Sequence, residues 1–428
     1  MILANGFGLA GLCLLAACAP AAPAVPAAAT WPASASPTDV FLSASPSPDA
    51  MAVPSPISTV APREEPASPS PTAAPSPRRV VAYFAGWSID RNYHVSDVPA
   101  DQLDHLNYAF ATVTDQGVCV PMSPRVDRTN LPALRQLKAR HPGLRTSLSI
   151  GGAARTNHFS EVVKTDAALK QFASSAVGLM RQGGFDGIDV DWEYPTASES
   201  HGFTRLLAEL RRQLDLAEST EGTHHLLTIA APAGPAHYTT LELGAIHPYL
   251  DWLGLMAYDF HGTWSTVTNF AAPLFSASND PSPIAQRLAY NASAAVQAYL
   301  LAGVPPAKLV LGVPFFGSGW KGVPDVNDGL FQPAKGLPQG TSGPGIFAYR
   351  DLKSNYLGTY PRFWHDEAKA PWLYNATNGV MITYDDPDSL AAKADYVKSQ
   401  NLGGMMVWEL STDDTQHSLT KAIRNHLG

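Results

Sequence analysis

The chain has 428 residues, of which 45% are hydrophobic and 15% charged, with a formal net charge of −8. That is apolar material for one large domain or two ordinary ones. An acidic balance with no long basic run excludes nucleic acid as the natural partner.

Residues 1–18, "MILANGFGLAGLCLLAAC", form an apolar run ending in small residues, the pattern of a secretory signal peptide. Its close, Leu15-Ala16-Ala17-Cys18, resembles a bacterial lipobox, in which Cys18 becomes the lipidated first residue of the exported protein. The departure is that no Lys or Arg precedes the run; an ordinary signal peptide with a chance cysteine is the competing reading. Either way an exported bacterial protein is expected, secreted or held at the envelope, with a lipid anchor as its one link to a membrane. The run is short and Pro-rich polar sequence follows at once, so a spanning helix is not expected. Residues 19–77 are mostly Ala, Pro, Ser and Thr. So few large apolar groups cannot offset the entropy of ordering a backbone, and an open tether is expected there. After processing, Cys119 is the one thiol besides Cys18. The fold is therefore expected to stand without an internal disulfide; no zinc-ligand spacing is present, and a monomer with no metal or cofactor is expected.

From residue 78 onward short apolar runs alternate with amphipathic segments. The runs are "RVVAYFAGW", "LDHLNYAFATV", "LRTSLSIGG", "FDGIDVDWE", "HLLTIAAPAG", "LDWLGLMAYDF", "KLVLGVPFFG" and "LGGMMVWEL". Helical patterns cover 166–182, 200–218, 283–302 and 389–400. Alternating strands and helices imply parallel pairing through crossovers. Eight strands, with no glycine-rich phosphate turn after the first, predict a closed (β/α)8 TIM barrel rather than an open nucleotide-binding sheet. Residues 319–384 break the rhythm with Gly, Pro and aromatics. That interval is too long for a plain loop and predicts a small α+β insertion after the seventh strand, on the face where such barrels carry their chemistry. Trp320, Trp364 and Trp372 lie in it and are candidates for a cleft wall.

The fourth strand candidate, "GGFDGIDVDWEYP", carries four acidic residues. Alternation puts Gly187, Asp189, Asp191 and Glu193 on one face and Ile188, Val190 and Trp192 on the other. In a barrel the apolar set faces the helices and the acidic set the interior, with Glu193 last, at the mouth. Like charges so close raise at least one pKa, at about 1.4 kcal/mol per unit. The file therefore favours a shared proton that Glu193 can deliver as a general acid. A calcium loop is the rival. Asp189, Asp191 and Glu193 match its first, third and fifth positions, but Tyr194 stands where Gly is needed and Ser200 where Glu is.

Asp186-Gly-Ile-Asp189-Val-Asp191-Trp-Glu193 resembles the DxxDxDxE signature of glycoside hydrolase family 18, the chitinase family. The resemblance extends along the chain. Ser149-Ile150-Gly151-Gly152 is similar to the family's SxGG on strand three, and Met256-Ala257-Tyr258-Asp259 to MxYD on strand six. "LGVPFFGSGW" is similar to the seventh-strand segment, and the strand-eight end bears Trp408. The order holds over essentially all of residues 78–428, including the position of the insertion. The resemblance implies a retaining, substrate-assisted hydrolysis of β-1,4-linked N-acetylglucosamine polymers or oligomers. Under it Glu193 is the acid and base, Asp191 orients the acetamido group, Asp189 shares a proton with Asp191, and Tyr258 donates to the acetamido oxygen. Asp259 and Met256 line the substrate site, and Tyr83 and Ser149 steady Asp189. Asp186, Gly151 and Gly152 are structural members of the motifs.

Aromatic faces grip neutral sugar rings, and the same resemblance puts Trp408 under the cleavage subsite and Trp264 on the leaving-group side. Three positions depart from the family pattern: Ala153 where a Trp often follows SxGG, Phe316 for Tyr, and Ser318 for Arg. They bear on subsite strength and chain-length preference rather than on the acid. The alternatives left open are a hydrolase of another N-acetylglucosamine linkage, in peptidoglycan or N-glycan cores, a non-catalytic oligosaccharide-binding relative, and an inert envelope protein.

Overall fold

The computed structural model describes residues 78–153 and 158–428. The expected signal peptide, Cys18 and the tether lie outside the described residues. Eight parallel strands close on themselves: β1 (Arg79–Ala85), β2 (His105–Val113), β3 (Arg145–Gly151), β4 (Gly187–Asp191), β5 (Leu226–Pro232), β6 (Trp252–Met256), β7 (Leu309–Pro314) and β8 (Gly404–Trp408). Each pairs with the next, and β8 returns to β1. All eight predicted strands are present, in the predicted TIM barrel.

Around them run α1 (Pro124–Arg140), α2 (Asp166–Gly183), α3 (Ser200–Glu221), α4 (Ile284–Ala289), α5 (Ala292–Leu301), α6 (Pro387–Ser399) and α7 (Ser418–Leu427). Caps set several of their ends. Thr165 accepts from the Ala168 N–H to start α2, and Gly184, at φ 78°, stops it. Asp386 caps α6 with Pro387 in the first turn. The single helix expected over 283–302 is two helices. Asn291 is extended, at φ −153°, and its side chain accepts from the Ala294 N–H, so a new helix starts where the apolar periodicity alone runs on. Among the described residues no helix is long and apolar enough to cross a membrane.

Alternation builds two cores. Ile188 and Val190 of β4 are fully buried in the layer between strands and helices, each contributing about 1.5–3 kcal/mol. Inside the barrel a second cluster gathers Val81, Tyr83, Phe110, Trp252, Val310 and Met406, with Trp408 packed against it.

The insertion is a five-stranded antiparallel sheet, in the order Ile346–Ala348, Phe316–Lys321, Val380–Thr383, Ala370–Asn375, Arg362–His365. Its helical part is three short turns, Asn327–Gly329, Tyr349–Asp351 and Leu352–Tyr356. It has its own core of Phe270, Trp320, Leu330, Trp372, Tyr374 and Met381. Trp320 and Trp372 therefore form no cleft wall. Both are buried, and their indole N–H groups donate to the carbonyls of Ser265 and Asp328, each at 2.9 Å. Trp364 is half-buried on the edge strand, under the Arg362 guanidinium at 5.5 Å.

Candidate active site

Strand β4 delivers its carboxylates in file into the barrel. Asp189 is 1% exposed and lies deepest. Its Oδ2 accepts from the Tyr83 hydroxyl of β1 and the Ser149 hydroxyl of β3, both at 2.7 Å; its Oδ1 accepts from Thr228 of β5 at 2.6 Å. Burial raises its pKa and the three hydroxyls pull it back.

Asp191 stands one pleat higher, buried, and is hydrogen-bonded to Glu193 rather than to Asp189. The oxygens of Asp189 are engaged by the three hydroxyls, and the buried Oδ1 of Asp191 has no hydrogen-bond partner. Burial first, then the charges of Glu193 and Asp189, hold the Asp191 carboxyl well above its ordinary range. Glu193 is raised as well, chiefly by burial, against hydrogen bonds from Tyr194, the Ala153 backbone and Asp191. A pair in such contact titrates as a unit, and one proton stays with it above the ordinary carboxylate range.

The neighbouring motifs hold this pair in place. Gly151 and Gly152 adopt φ 119° and 83°. A Cβ on Gly151 would collide with the Asp191 carbonyl, and one on Gly152 would meet the Phe110 ring at 2.6 Å. The Gly152 N–H donates to the Asp191 carbonyl at 2.9 Å. Trp192 points the other way and stacks on Phe159 at 5.3 Å, anchoring the strand end from outside. Asp186 lies at the opposite end of β4, accepting from the Thr146 N–H at 2.7 Å and paired with Lys138 at 2.8 Å, so it braces the sheet away from the cavity.

A cavity of about 160 Å³ opens at the C-terminal mouth, lined by Asp191, Glu193, Tyr258, Asp259, Met256 and Trp408, with Tyr83, Ala153, Phe110, Tyr194 and Ala230 completing the wall. Tyr258 is half-buried in the cavity wall, and its phenol is pushed well up by desolvation there and by Asp191 and Glu193. Asp259, at φ 55°, is exposed on its outer side but faces the desolvated cavity wall, and that desolvation with the Glu193 charge raises it to about 6. Trp408 stacks on Phe110 at 5.8 Å and meets Tyr83 edge-on at 5.2 Å. Trp264 is 63% exposed and is not part of this lining. A larger cavity, about 410 Å³, lies outside the barrel between α1 and α2, with Leu131, Leu148, Leu179 and Phe185 in its wall. It gathers no comparable group of carboxyls, and its Asp127 is engaged by Tyr108. Among the described residues no group of three or more His, Cys, Asp or Glu side chains is disposed to hold a metal ion.

The sequence model of the family "Glycosyl hydrolases family 18" matches residues 79–413. This chain belongs to that family. It is 35% identical over 404 residues to Chitinase A1 of Niallia circulans, across 81% of this chain and 58% of that protein. It is 34% identical over 384 residues to Chitinase B of Serratia marcescens, across 77% of each. The solved structure of Chitinase ChiA74 from Bacillus thuringiensis superposes with a TM-score of 0.76 at 33% identity, over 82% of this chain and 70% of that one.

Within this family-18 barrel, sequence reasoning passed over Thr228, Phe110, Tyr194 and Trp87. Alternation along "LLTIAAP" turns Thr228 inward, a signal that was there to read. Phe110 and Trp87, which lies 6.0 Å from it, reach Trp408 only through the barrel's closure.

Proposed function

We propose that this chain is a retaining chitinase, hydrolysing β-1,4-linked N-acetylglucosamine polymers or oligomers with the substrate's own acetamido oxygen as nucleophile. The observation that carries the reading is the hydrogen bond between Asp191 and Glu193 in the mouth cavity. Two carboxyls that flank a sugar and share its hydrolysis stand about 5–9.5 Å apart. A directly bonded pair cannot flank it, so Asp191 is not the nucleophile of a two-carboxylate scheme.

Glu193 gives its proton to the glycosidic oxygen as the bond to the anomeric carbon breaks. The acetamido carbonyl oxygen closes onto that carbon, forming an oxazolinium ion. Asp191 accepts from the acetamido N–H and offsets the positive charge, while Tyr258 donates to the acetamido oxygen. Glu193, now a base, takes a proton from water, whose oxygen bonds to the anomeric carbon as the bond to the acetamido oxygen breaks, restoring the acetamide and the β configuration. Asp189 holds negative charge beneath. Trp408 floors the reacting sugar, Asp259 and Met256 line its flank, and Trp264 contacts the leaving-side sugars from the rim.

The test is the product profile from defined N-acetylglucosamine oligomers, with anomeric configuration read early. β-Anomeric products are expected, with inhibition by a thiazoline mimic of the oxazolinium; α-anomeric products would overturn the mechanism. For location, we propose export and anchoring through lipidated Cys18, supported by the Leu15 to Cys18 pattern. Cys18→Ser should release the protein from membranes, and unchanged membrane retention would refute the anchor.

A further inference from the structure

Asp189 is held unevenly. Two hydroxyls, from Tyr83 and Ser149, reach Oδ2, but among the described residues Thr228 is the one side-chain donor to Oδ1. Each hydroxyl has one proton to give, and none of the three is bonded to another acceptor among the described residues. All three bonds are donated to the carboxyl, and donors aimed at a carboxyl favour its charged form.

We propose that Thr228 is a positioning residue for the reaction: its hydroxyl on Oδ1 keeps Asp189 ionised beneath Asp191, and so keeps the catalytic proton in the Asp191/Glu193 pair. The inference rests on the functional reading above. Without Thr228, Oδ1 is bare in a buried site and becomes the place where a proton settles. Burial already pushes Asp189 toward protonation, with the hydroxyls opposing it. Once Asp189 is neutral, its charge no longer raises Asp191, and the pair above releases its proton at lower pH. The other titratable groups facing the column are Tyr83 from β1, and Tyr194, Tyr258 and Asp259 at the mouth. Below it, His105 of β2 is bonded to Ser147 and held neutral, its pKa lowered to about 3 by burial.

Thr228 has a purely structural role open to it, since a β-branched side chain suits a strand interior. Valine fills that role equally well, which makes Thr228→Val the discriminating variant. The full chain is assayed from acid to alkaline pH with 4-methylumbelliferyl chitobioside as probe. In Thr228→Val the alkaline limb of kcat/KM should move down by about one pH unit, and Thr228→Ser should restore it. If the valine variant fails to fold, Thr228→Ala removes the same hydroxyl and is read the same way. A rate lowered evenly at all pH with the limb unmoved, or a serine variant that does not restore it, overturns the proposal. A wild type that leaves the probe intact removes the functional reading, and this inference with it. An active wild type with an unmoved limb in the valine variant removes this inference alone.

Discussion

Two carboxylates are buried in this molecule in opposite ways. Asp385, between the insertion and α6, is 2% exposed and lies 2.5 Å from the ammonium of Lys393, with the Ser389 hydroxyl on its other oxygen at 2.7 Å. Its charge is closed off by a cation packed beside it. Asp189 is equally buried but meets neutral hydroxyls, which solvate its charge without cancelling it. The first arrangement stabilises a junction; the second leaves a field directed at Asp191. A buried carboxylate with its own cation is architecture, whereas one held by hydroxyls is an electrostatic tool.

The largest expected effect breaks the barrel side of this contrast. Glu193→Gln cannot carry the proton and should lower kcat by about 10²–10⁴-fold, with oligosaccharide binding largely retained by calorimetry. Comparable turnover by the variant removes Glu193 as the acid. Next comes the junction. Lys393→Met strands the Asp385 charge and should cost about 3–5 kcal/mol in denaturant unfolding, while the folded fraction keeps the wild-type pH profile. A shifted profile would mean that the two carboxylates are not separate in kind.

Asp191→Asn removes the charge that faces the oxazolinium and should slow turnover by about 10²–10³-fold, measured as kcat on a chitobioside. The smallest effect sharpens the picture at the mouth. Burial raises both members of the Asp191/Glu193 pair, and the Glu193 and Asp189 charges raise Asp191 further, so activity should persist above the usual carboxylate range and fall as pH climbs through the raised value. Asp259, near 6, feels the Glu193 charge and returns it in kind. Asp259→Asn removes that repulsion, so Glu193 loses its proton sooner and the alkaline limb should move down by about half a pH unit. A limb that moves up would reverse the assigned coupling.

What could be read in advance follows the range of each interaction. The eight strands, the inward file of Asp189, Asp191 and Glu193, and the glycines that let β3 approach Asp191 are fixed by short-range rules. Alternation has period two, and a missing Cβ is written in the residue itself. Periodicity misled at 283–302, where the Asn291 side chain competes for the backbone and restarts the helix. The tryptophans show the limit most plainly. Trp320, Trp372 and Trp408 are the same residue in similar apolar company, yet two fill the core of the insertion and one faces the cavity.

The sequence by itself determined the barrel, the acidic file and the residue able to carry a proton, because neighbours along the chain impose those features. Only the tertiary structure decided that Thr228 joins Tyr83 and Ser149 on Asp189, that Asp191 turns to Glu193, and that Phe110 lines the cleft with Trp408 while Trp264 does not. Tyr83, Ser149 and Thr228 come from three separate strands; the family motifs point to the first two, and it is barrel closure that brings Thr228 to the same carboxylate.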